Sequence, residues 1–451
     1  MNQESFFDII FNKKKNVYIS GIGGTGKSYQ IKKIYEESKK RNINTYLTST
    51  TGISSFLIGG TTIHSFSGVI LPLYIDTEKD FIEYINKMVK KIKSNNRLLK
   101  RWKEIEMLII DEVSMLGLNY GDLLNCIAKI LKNNNKPFGG IQLILSGDMC
   151  QLPPINDGFI FDSNMWNELN LVNINLKKAW RYMDREGNLL NNYIELLQRL
   201  RLNKHTKQDI EILKSRMIEN FKKEDYEDAI HIFPNKKDVD NYNKNKLDSI
   251  KSLTFIIKSN DIYIDKNKNE QISNINIYDK NELYKKDYDN IFTCPKILNL
   301  KINCRVMLLI NLNIEEGLVN GSVGIIKNFI EDDHGQIDKI EVYFTNSKKI
   351  YTIQRNNFIY EDNDIQISRF QFPLILSYSN TIHKLQGSTV DKIVIDIGDK
   401  IFENAQTYVA LSRCKDINGL FIKNLSINKI KTNIDCIKFE DNLLKNSFEL
   451  I

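Results

Sequence analysis

The chain has 451 residues, of which 42% are hydrophobic and 26% are charged, and its 63 basic and 56 acidic residues give a net charge of +7. This length suggests about three compact units at ~150 residues each, and the ordinary composition excludes intrinsic disorder, collagen-like repeats and disulfide-stapled miniature domains. The modest positive charge permits a polyanionic partner without requiring one, and no apolar run approaches the ~18–20 residues of a membrane-spanning helix.

The start of the chain and its cysteines bear on location. A strand pattern at residues 17–20 begins almost at once, and Glu4 and Asp8 interrupt the segment before it, which argues against a signal or transit peptide. The six cysteines include no C-x-x-C pair and the five histidines no close pair, so a metal finger is not expected. We therefore expect reduced thiols and an intracellular protein without a membrane partner, cytoplasmic if the source is bacterial or viral and nuclear if it is eukaryotic.

Up to about residue 180, short apolar strand patterns alternate with helical patterns. Strands are predicted at 17–20, 44–48, 107–110 and 141–145, and helices at 28–40 and 121–132. This alternation predicts an α/β fold in which helices cover both faces of a parallel sheet.

Residues 69–105 look like an excursion from that sheet. They carry a basic cluster: Lys87, Lys90, Lys91, Lys93, Arg97, Lys100, Arg101 and Lys103. From spacing alone, the cluster is interpreted as the solvated face of a helix.

The second half of the chain changes character. From about 311 to 372, glycines punctuate short alternating segments such as 340–344 and 349–353, which indicates a small antiparallel β unit. After Pro373 the α/β pattern resumes. The predicted organisation is a first domain at 1–180, a second domain at 181–310 and 373–451, and a β insert at 311–372.

Residues 21–28 match the phosphate-loop pattern G-x-x-x-x-G-K-[ST] at every fixed position, between a predicted strand and a predicted helix. Glycines in such a loop let successive backbone N–H groups turn towards phosphate oxygens, and the following helix N-terminus adds a partial positive charge. Lys27 is expected to reach the β- and γ-phosphates of ATP, and Ser28 to ligate Mg²⁺. The expected nucleotide-binding residues of the loop are Gly21, Gly23, Gly24, Thr25, Gly26, Lys27 and Ser28.

Acidic residues end two further strand patterns. Asp111 and Glu112 follow the apolar run at 107–110, at the carboxyl edge of the sheet where ligands bind. Asp111 is expected to hold Mg²⁺ and Glu112 to polarise the attacking water, which favours a hydrolase; the alternative is a solvated acidic turn. After the next strand and Asp148, Gln151 is a candidate to contact the γ-phosphate, although by itself it is only a turn residue.

Together these segments resemble the Pif/RecD-like DNA helicases of superfamily 1B, most closely the Pif branch. Blocks similar to that family's motifs occur in order at 48–53, 59–66, 111–116, 137–154, 318–321, 381–387 and 408–413. The resemblance implies two tandem RecA-like domains with ATP between them and single-stranded DNA across both. It also implies an SH3-like insert in the second domain and a small strand-separating wedge in the first, where the basic excursion lies.

The resemblance also implies roles for single residues. Arg413 corresponds to the arginine finger, Arg181 to a second arginine that faces the γ-phosphate, and Gln3 to a glutamine that reads adenine. Gly387, with Gln386, lies where the family couples the DNA site to the nucleotide cleft.

Six residues correspond to the family's DNA contacts: Thr62, His64, Phe66, Thr381, His383 and Lys384. Hydroxyls and a lysine suit phosphates, whereas imidazole and phenyl rings stack on bases without sequence preference. Taken singly, each histidine is more typical of a buried or capping residue, and Phe66 of a core residue.

The expected function is therefore that of a monomeric, ATP-dependent 5′→3′ DNA helicase that acts on single-stranded DNA and on tailed or forked duplexes, with the direction implied by the resemblance alone. Two alternatives stay open: a DNA-stimulated translocase that unwinds duplex poorly, and a non-catalytic nucleic-acid-binding module. Departures from the family pattern at Tyr182, Leu385 and 303–304 remove no group that does chemistry. Replication, recombination, repair and telomere maintenance are all open as its setting.

Overall fold

The computed structural model describes residues 3–69, 77–178, 191–265, 270–272, 292, 294–310, 312–313, 316, 318, 321–345, 347–361 and 365–450. The chain forms two compact units, one made of residues 1–235 and 381–451 and the other of residues 236–380.

Helices and strands alternate through most of the first unit. The α-helices are α1 Gln3–Phe7, α2 Lys27–Lys40, α3 Gly52–Leu57, α4 Ile63–Ser67, α5 Glu78–Ser94, α6 Asn96–Glu104, α7 Leu118–Lys132, α8 Asn164–Glu168, α9 Asn191–Arg201, α10 Lys207–Ser215, α11 Lys223–Tyr226, α12 Lys236–Asp248, α13 Gln406–Leu411 and α14 Ile434–Lys445. The strands are β1 Val17–Ser20, β2 Thr45–Ser49, β3 Thr61–Thr62, β4 Met107–Asp111, β5 Gln142–Gly147, β6 Val172–Leu176, β7 Ile230–Phe233, β8 Phe255–Lys258, β9 Asn260–Asp265, β10 Glu270–Ile272, β11 Ile297–Leu300, β12 Arg305–Leu308, β13 Val323–Glu331, β14 Ile337–Phe344, β15 Lys349–Gln354, β16 Asn356–Glu361, β17 Ile365–Gln371, β18 Leu374–Leu376, β19 Ser379–Thr381, β20 Ile393–Ile397, β21 Leu420–Leu425 and β22 Phe448–Leu450.

The first unit contains a seven-stranded parallel sheet in the order β22-β6-β1-β5-β4-β2-β3. All residues of β4 are buried, and they alternate between two hydrophobic clusters. Leu108 and Ile110 join the cluster that includes α5 and α7, while Met107 and Ile109 join the cluster that includes α1 and α2. A sheet covered on both faces produces such continuous apolar strands, so the predicted α/β class is confirmed.

A second, smaller parallel sheet in the same unit has β20 between β7 and β21. We call residues 1–178 the first lobe, and residues 191–235 with 381–433 the second lobe. The last helix and strand return to the first lobe: Cys436 and Leu443 of α14 lie in its core cluster, and β22 pairs with β6.

The second unit is mainly antiparallel. One sheet has the order β15-β14-β13-β12-β18 and another the order β10-β9-β17-β16. This unit contains the predicted insert at 311–372 but begins earlier, because strands before residue 311 pair with strands after it. Thus β9 pairs with β17, and β12 pairs with both β13 and β18. The domain boundaries themselves stay a prediction.

The basic excursion consists of α5 and α6, and residues 70–76 lie outside the described residues. Helix α5 buries one stripe, formed by Ile85, Met88, Val89 and Ile92. All of the basic residues except Arg101 are exposed. This distribution agrees with the solvated face of an amphipathic helix. Within the described part of the chain, no helix has the length and apolarity needed to cross a bilayer.

Candidate active site

The phosphate loop joins β1 to α2, and its backbone requires glycine at specific places. A Cβ atom on Gly21 would lie 2.6 Å from Thr25 Oγ1 and 2.8 Å from the Leu176 carbonyl oxygen. Gly26, which caps α2, has a φ of 86°, in the left-handed region that glycine adopts without strain. These constraints shape the loop into the turn that a phosphate cradle needs.

Lys27 lies inside this loop. Its Nζ donates hydrogen bonds to the carbonyl oxygens of Gly21, at 2.6 Å, and Ile22, at 3.1 Å, and its side chain is buried. A buried ammonium group held against the loop is the charge that a triphosphate requires there.

Ser28 and Asp111 meet beside the loop because β1 and β4 end at the same edge of the sheet. Ser28 Oγ donates to Asp111 Oδ2 at 3.0 Å, and the Glu112 backbone N–H donates to Asp111 Oδ1 at 2.9 Å. A hydroxyl and a carboxylate so placed fit Mg²⁺, which takes its other ligands from phosphates and water. Among the described residues, no group of three or more His, Cys, Asp or Glu could hold a metal by itself.

Burial governs the ionisation of Asp111. Its side chain is 1% exposed, and burial, with the neighbouring charge of Glu112, raises the pKa of Asp111 to about 6, against an opposing effect of Lys27. A carboxyl whose pKa is higher in the folded state binds more protons there than in the unfolded chain. The nucleotide-free protein is therefore stabilised below that pKa and loses this stabilisation as the pH rises.

We expect the free energy of unfolding of the nucleotide-free protein to fall between about pH 4 and pH 6 by an amount on the order of 1–3 kcal/mol that Asp111→Asn removes. Urea unfolding of both proteins across this range measures the difference. Glu36→Gln, on the exposed face of α2, is the matched control and should keep the wild-type slope. Parallel curves for wild type and Asp111→Asn would contradict the assignment.

Glu112 receives contacts from the second lobe. Gln386 Nε2 donates to Glu112 Oε2 at 3.2 Å, and a Cβ on Gly387 would lie 3.6 Å from Glu112 Oε1. The Glu112 backbone is left-handed, with a φ of 53°, and the Thr50 hydroxyl donates to its carbonyl oxygen at 2.8 Å. Strained backbone of this kind persists where surrounding structure holds it, often at functional sites.

Asp148 organises a second buried group beside the loop. Its Oδ2 accepts hydrogen bonds from Gln151 Nε2 at 3.3 Å and from the Tyr408 hydroxyl at 3.1 Å. The same hydroxyl accepts the backbone N–H of Gly23 at 3.4 Å. Tyr408 belongs to the second lobe, so a single phenol links the phosphate loop, Asp148 and the second lobe.

Arg201 neutralises Asp148. Its Nε and Nη2 donate to Asp148 Oδ1 at 2.9 and 2.7 Å, and Nη2 lies 2.9 Å from Glu440 Oε1. Burial opposes ionisation, but the charges of Arg201 and then Lys27 hold the pKa of Asp148 below its usual value. The sequence analysis assigned no role to Arg201, Tyr408 or Glu440. The only signal was that Asp148 ends a third strand beside the phosphate loop.

The structure does not place the predicted arginines on the loop. Arg413 is buried and donates to second-lobe groups: the Val409 carbonyl at 2.9 Å, the Ser388 carbonyl at 3.2 Å and the Ser412 hydroxyl at 2.8 Å. Arg181 lies outside the described residues. Gln3 begins α1, and its side chain is likewise outside the description.

The first-lobe DNA candidates surround the short helix α4. Thr62 caps it by accepting the Ser65 N–H at 3.1 Å, and the exposed His64 stacks on Tyr120 with ring centroids 4.7 Å apart. Phe66 is 1% exposed and contacts Tyr46 and other core rings. We therefore correct the expectation for Phe66: its ring supports the loop from within the core, because no face of it is open to a base.

The second-lobe candidates form one turn. Thr381 Oγ1 accepts the Lys384 N–H at 3.3 Å, and Lys384 is exposed. The half-buried ring of His383 stacks on Phe402, with centroids 6.2 Å apart and planes 15° apart. Burial lowers the pKa of His383 against an opposing effect of Glu403, which favours the neutral imidazole.

Comparison with known proteins agrees with this geometry. Residues 1–211 match the model of the PIF1-like helicase family, and residues 289–329 match the model of the DNA helicase Pif1 2B domain. The crystal structure of the Pif1 helicase from Candida albicans has a TM-score of 0.81 and 30% identity, with 98% of each chain covered. A Pif1 helicase structure from Bacteroides in complex with ADP-AlF3 and ssDNA has a TM-score of 0.70 and 26% identity, covering 98% of this chain and 96% of that one.

Among curated relatives, the ATP-dependent DNA helicase PIF1 of Danio rerio is 30% identical over 96% of this chain and 62% of its own length. The chain spans 47% to 63% of the length of three such relatives. The predicted resemblance to the Pif branch is confirmed, and this chain belongs to the PIF1-like helicase family.

Proposed function

We propose that this protein is an ATP-dependent DNA helicase that moves 5′→3′ along single-stranded DNA and opens duplex DNA ahead of it. One observation carries the proposal. The segment that holds the candidate DNA residues Thr381, His383 and Lys384 continues directly into Gln386, whose amide donates to Glu112 beside the phosphate loop at 3.2 Å. A change in the DNA-binding turn therefore has a short covalent path to the candidate catalytic carboxylate.

The relatives support the same activity. The Danio rerio relative is named as an ATP-dependent DNA helicase, and the Bacteroides relative was crystallised with ADP-AlF3 and single-stranded DNA. These ligands correspond to the nucleotide and the strand that the present proposal requires.

In this proposal the phosphate loop binds ATP. Lys27 and the loop N–H groups neutralise the phosphates, and Ser28 and Asp111 hold Mg²⁺, which balances phosphate charge and orients the γ-phosphoryl group when bound. Glu112 accepts a hydrogen bond from, and so orients, the attacking water. Gln151, held by Asp148, is placed to respond to the γ-phosphate.

Arg413 has to leave its second-lobe carbonyl partners to reach the phosphates. Its approach, with that of Arg181, is the step that domain closure supplies, and arginine fingers contribute ~10³–10⁵ in rate in GTPases. Each duplex step costs on average ~1.4 kcal/mol of stacking, so hydrolysis has to be tied to movement of the strand.

The proposed strand contacts are Thr62, His64, Thr381, His383 and Lys384. Exposed hydroxyls and the ammonium group suit phosphates, while the two imidazoles suit bases. We further propose that the two lobes are tandem RecA-like domains and that the protein works as a monomer inside the cell, on single-stranded DNA and on tailed or forked duplexes.

Strand displacement on two matched duplexes, one with a 5′ single-stranded tail and one with a 3′ tail, tests the proposal. With ATP and Mg²⁺, only the 5′-tailed duplex should open, and Glu112→Gln, which keeps the size of the side chain, should open neither. Opening of the 3′-tailed duplex alone would overturn the proposed direction. If neither opened while single-stranded DNA still stimulated ATP hydrolysis, the protein would be a translocase and not a helicase.

A further inference from the structure

A cavity of about 530 Å³ lies between the two lobes of the first unit. Residues 149–159 and Asn119 form its first-lobe wall, and residues 403–405 with the start of α14 form the opposite wall. This volume is in the range of pockets that hold small organic groups.

The chemistry of the lining selects against phosphate. The described lining residues include two carboxylates, Asp157 and Glu403, and neither a lysine nor an arginine. Amide groups are frequent instead: Asn119, Gln151, Asn156, Asn404 and Asn433. Apolar surface comes from Met149, Pro153, Pro154 and Phe159. A neutral, planar group with hydrogen-bond donors and acceptors on its edge fits this lining, whereas an anion is repelled.

Both walls lead to the proposed DNA residues. On the first lobe, Asn119 precedes Tyr120, on which His64 stacks, and the Tyr120 N–H donates to the lining carboxylate of Asp157 at 3.2 Å. On the second lobe, Glu403 follows Phe402, the stacking partner of His383. The cavity thus lies between the two histidines that were assigned independently to bases.

Phe402 and Gln151 are incompletely satisfied by the described protein. Phe402 is 66% exposed, so most of its ring faces solvent at the rim of the cavity, where exposed aromatic surface indicates a binding partner. Gln151 is buried, and its Oε1 accepts no hydrogen bond from the described residues. A buried amide oxygen without a donor is costly unless a ligand or water supplies one.

We propose that this cavity receives a nucleobase of the bound single strand, with the ring of Phe402 stacked on the base and the lining amides facing its edge. The inference rests on the proposed function and deepens it by naming a base-binding site. It also places a base beside Gln151, the residue proposed to respond to the γ-phosphate, so the site contacts both the strand and the nucleotide machinery.

An abasic scan tests the site. The affinity of the full chain is measured by fluorescence anisotropy for a short oligothymidine and for versions from which one base at a time has been removed. Stacking on an aromatic side chain corresponds to roughly a 5- to 150-fold change in affinity per base. We expect the wild-type protein to show a loss in this range at one position, and Phe402→Ala to bind the intact strand more weakly with no further loss at that position.

Two variants keep the test interpretable. Phe402→Trp retains an aromatic face and should restore the position-dependent loss. Phe448→Ala removes another exposed aromatic ring, 54% exposed and on β22, and should leave the wild-type profile unchanged. If Phe402→Ala kept the wild-type profile, or if that profile were flat, the base site would be wrong while DNA binding stood. If the wild-type protein did not bind the intact strand at all, the proposed function itself would fail.

Discussion

Replacing Lys27 by alanine is expected to lower kcat for ATP hydrolysis by at least ~10²–10³-fold, the cost of removing one preorganised charge or donor from a developing anion. The reason is positional: the Lys27 ammonium is buried and held on the Gly21 and Ile22 carbonyls at the centre of the phosphate loop. Steady-state hydrolysis with single-stranded DNA present measures the loss, and strand displacement should be lost with it.

Single-strand affinity without nucleotide should survive this substitution, because Lys27 is remote in sequence from every proposed strand contact. Lys32→Ala is the matched control, since Lys32 lies on the same helix, α2, but is exposed. It should hydrolyse ATP at the wild-type rate. Substantial hydrolysis by Lys27→Ala would show that residues 21–28 are not the catalytic phosphate loop.

The second large effect is expected at Arg201. Arg201→Met should lower the free energy of unfolding of the first unit by ~3–5 kcal/mol, because it leaves the buried carboxylates of Asp148 and Glu440 without their counter-charge. Urea unfolding followed by tryptophan fluorescence measures it, since all three tryptophans lie within residues 1–235.

A double variant separates charge from packing. Adding Asp148→Asn to Arg201→Met removes one stranded carboxylate, so the two substitutions together should cost less than the sum of their separate effects. Lys214→Met breaks the exposed pair with Glu211 and, as the control, should change the free energy of unfolding by no more than ~1 kcal/mol. Equal effects of Arg201→Met and Lys214→Met would contradict a structural role for the buried group.

The substitution should also reach the nucleotide site. Asp148 positions both Gln151 and Tyr408, and Tyr408 contacts Gly23 of the phosphate loop. An Arg201 variant that still folds is therefore expected to show a weakened response of hydrolysis to DNA as well as lower stability.

Local patterns in the sequence were sufficient for the first lobe. The strand predicted at 17–20 coincides with β1, and the helix predicted at 28–40 differs from α2 by one residue. The carboxyl ends of β1 and β4 place Ser28 against Asp111, as the motifs implied. Such features are readable because buried parallel strands are short apolar runs, and because a phosphate loop needs glycines at fixed spacing.

Other features were decided by tertiary structure alone. Arg201 lies 53 residues after Asp148, and Tyr408 lies 260 residues after it, so no local pattern predicts that they meet. The fit of Phe66 into the core beside Tyr46, the return of β22 to the first sheet and the pairing of β9 with β17 are of the same kind. Sequence pattern determines which residues are apolar, charged or turn-forming, whereas the partner of each is determined by which distant surfaces pack together on folding.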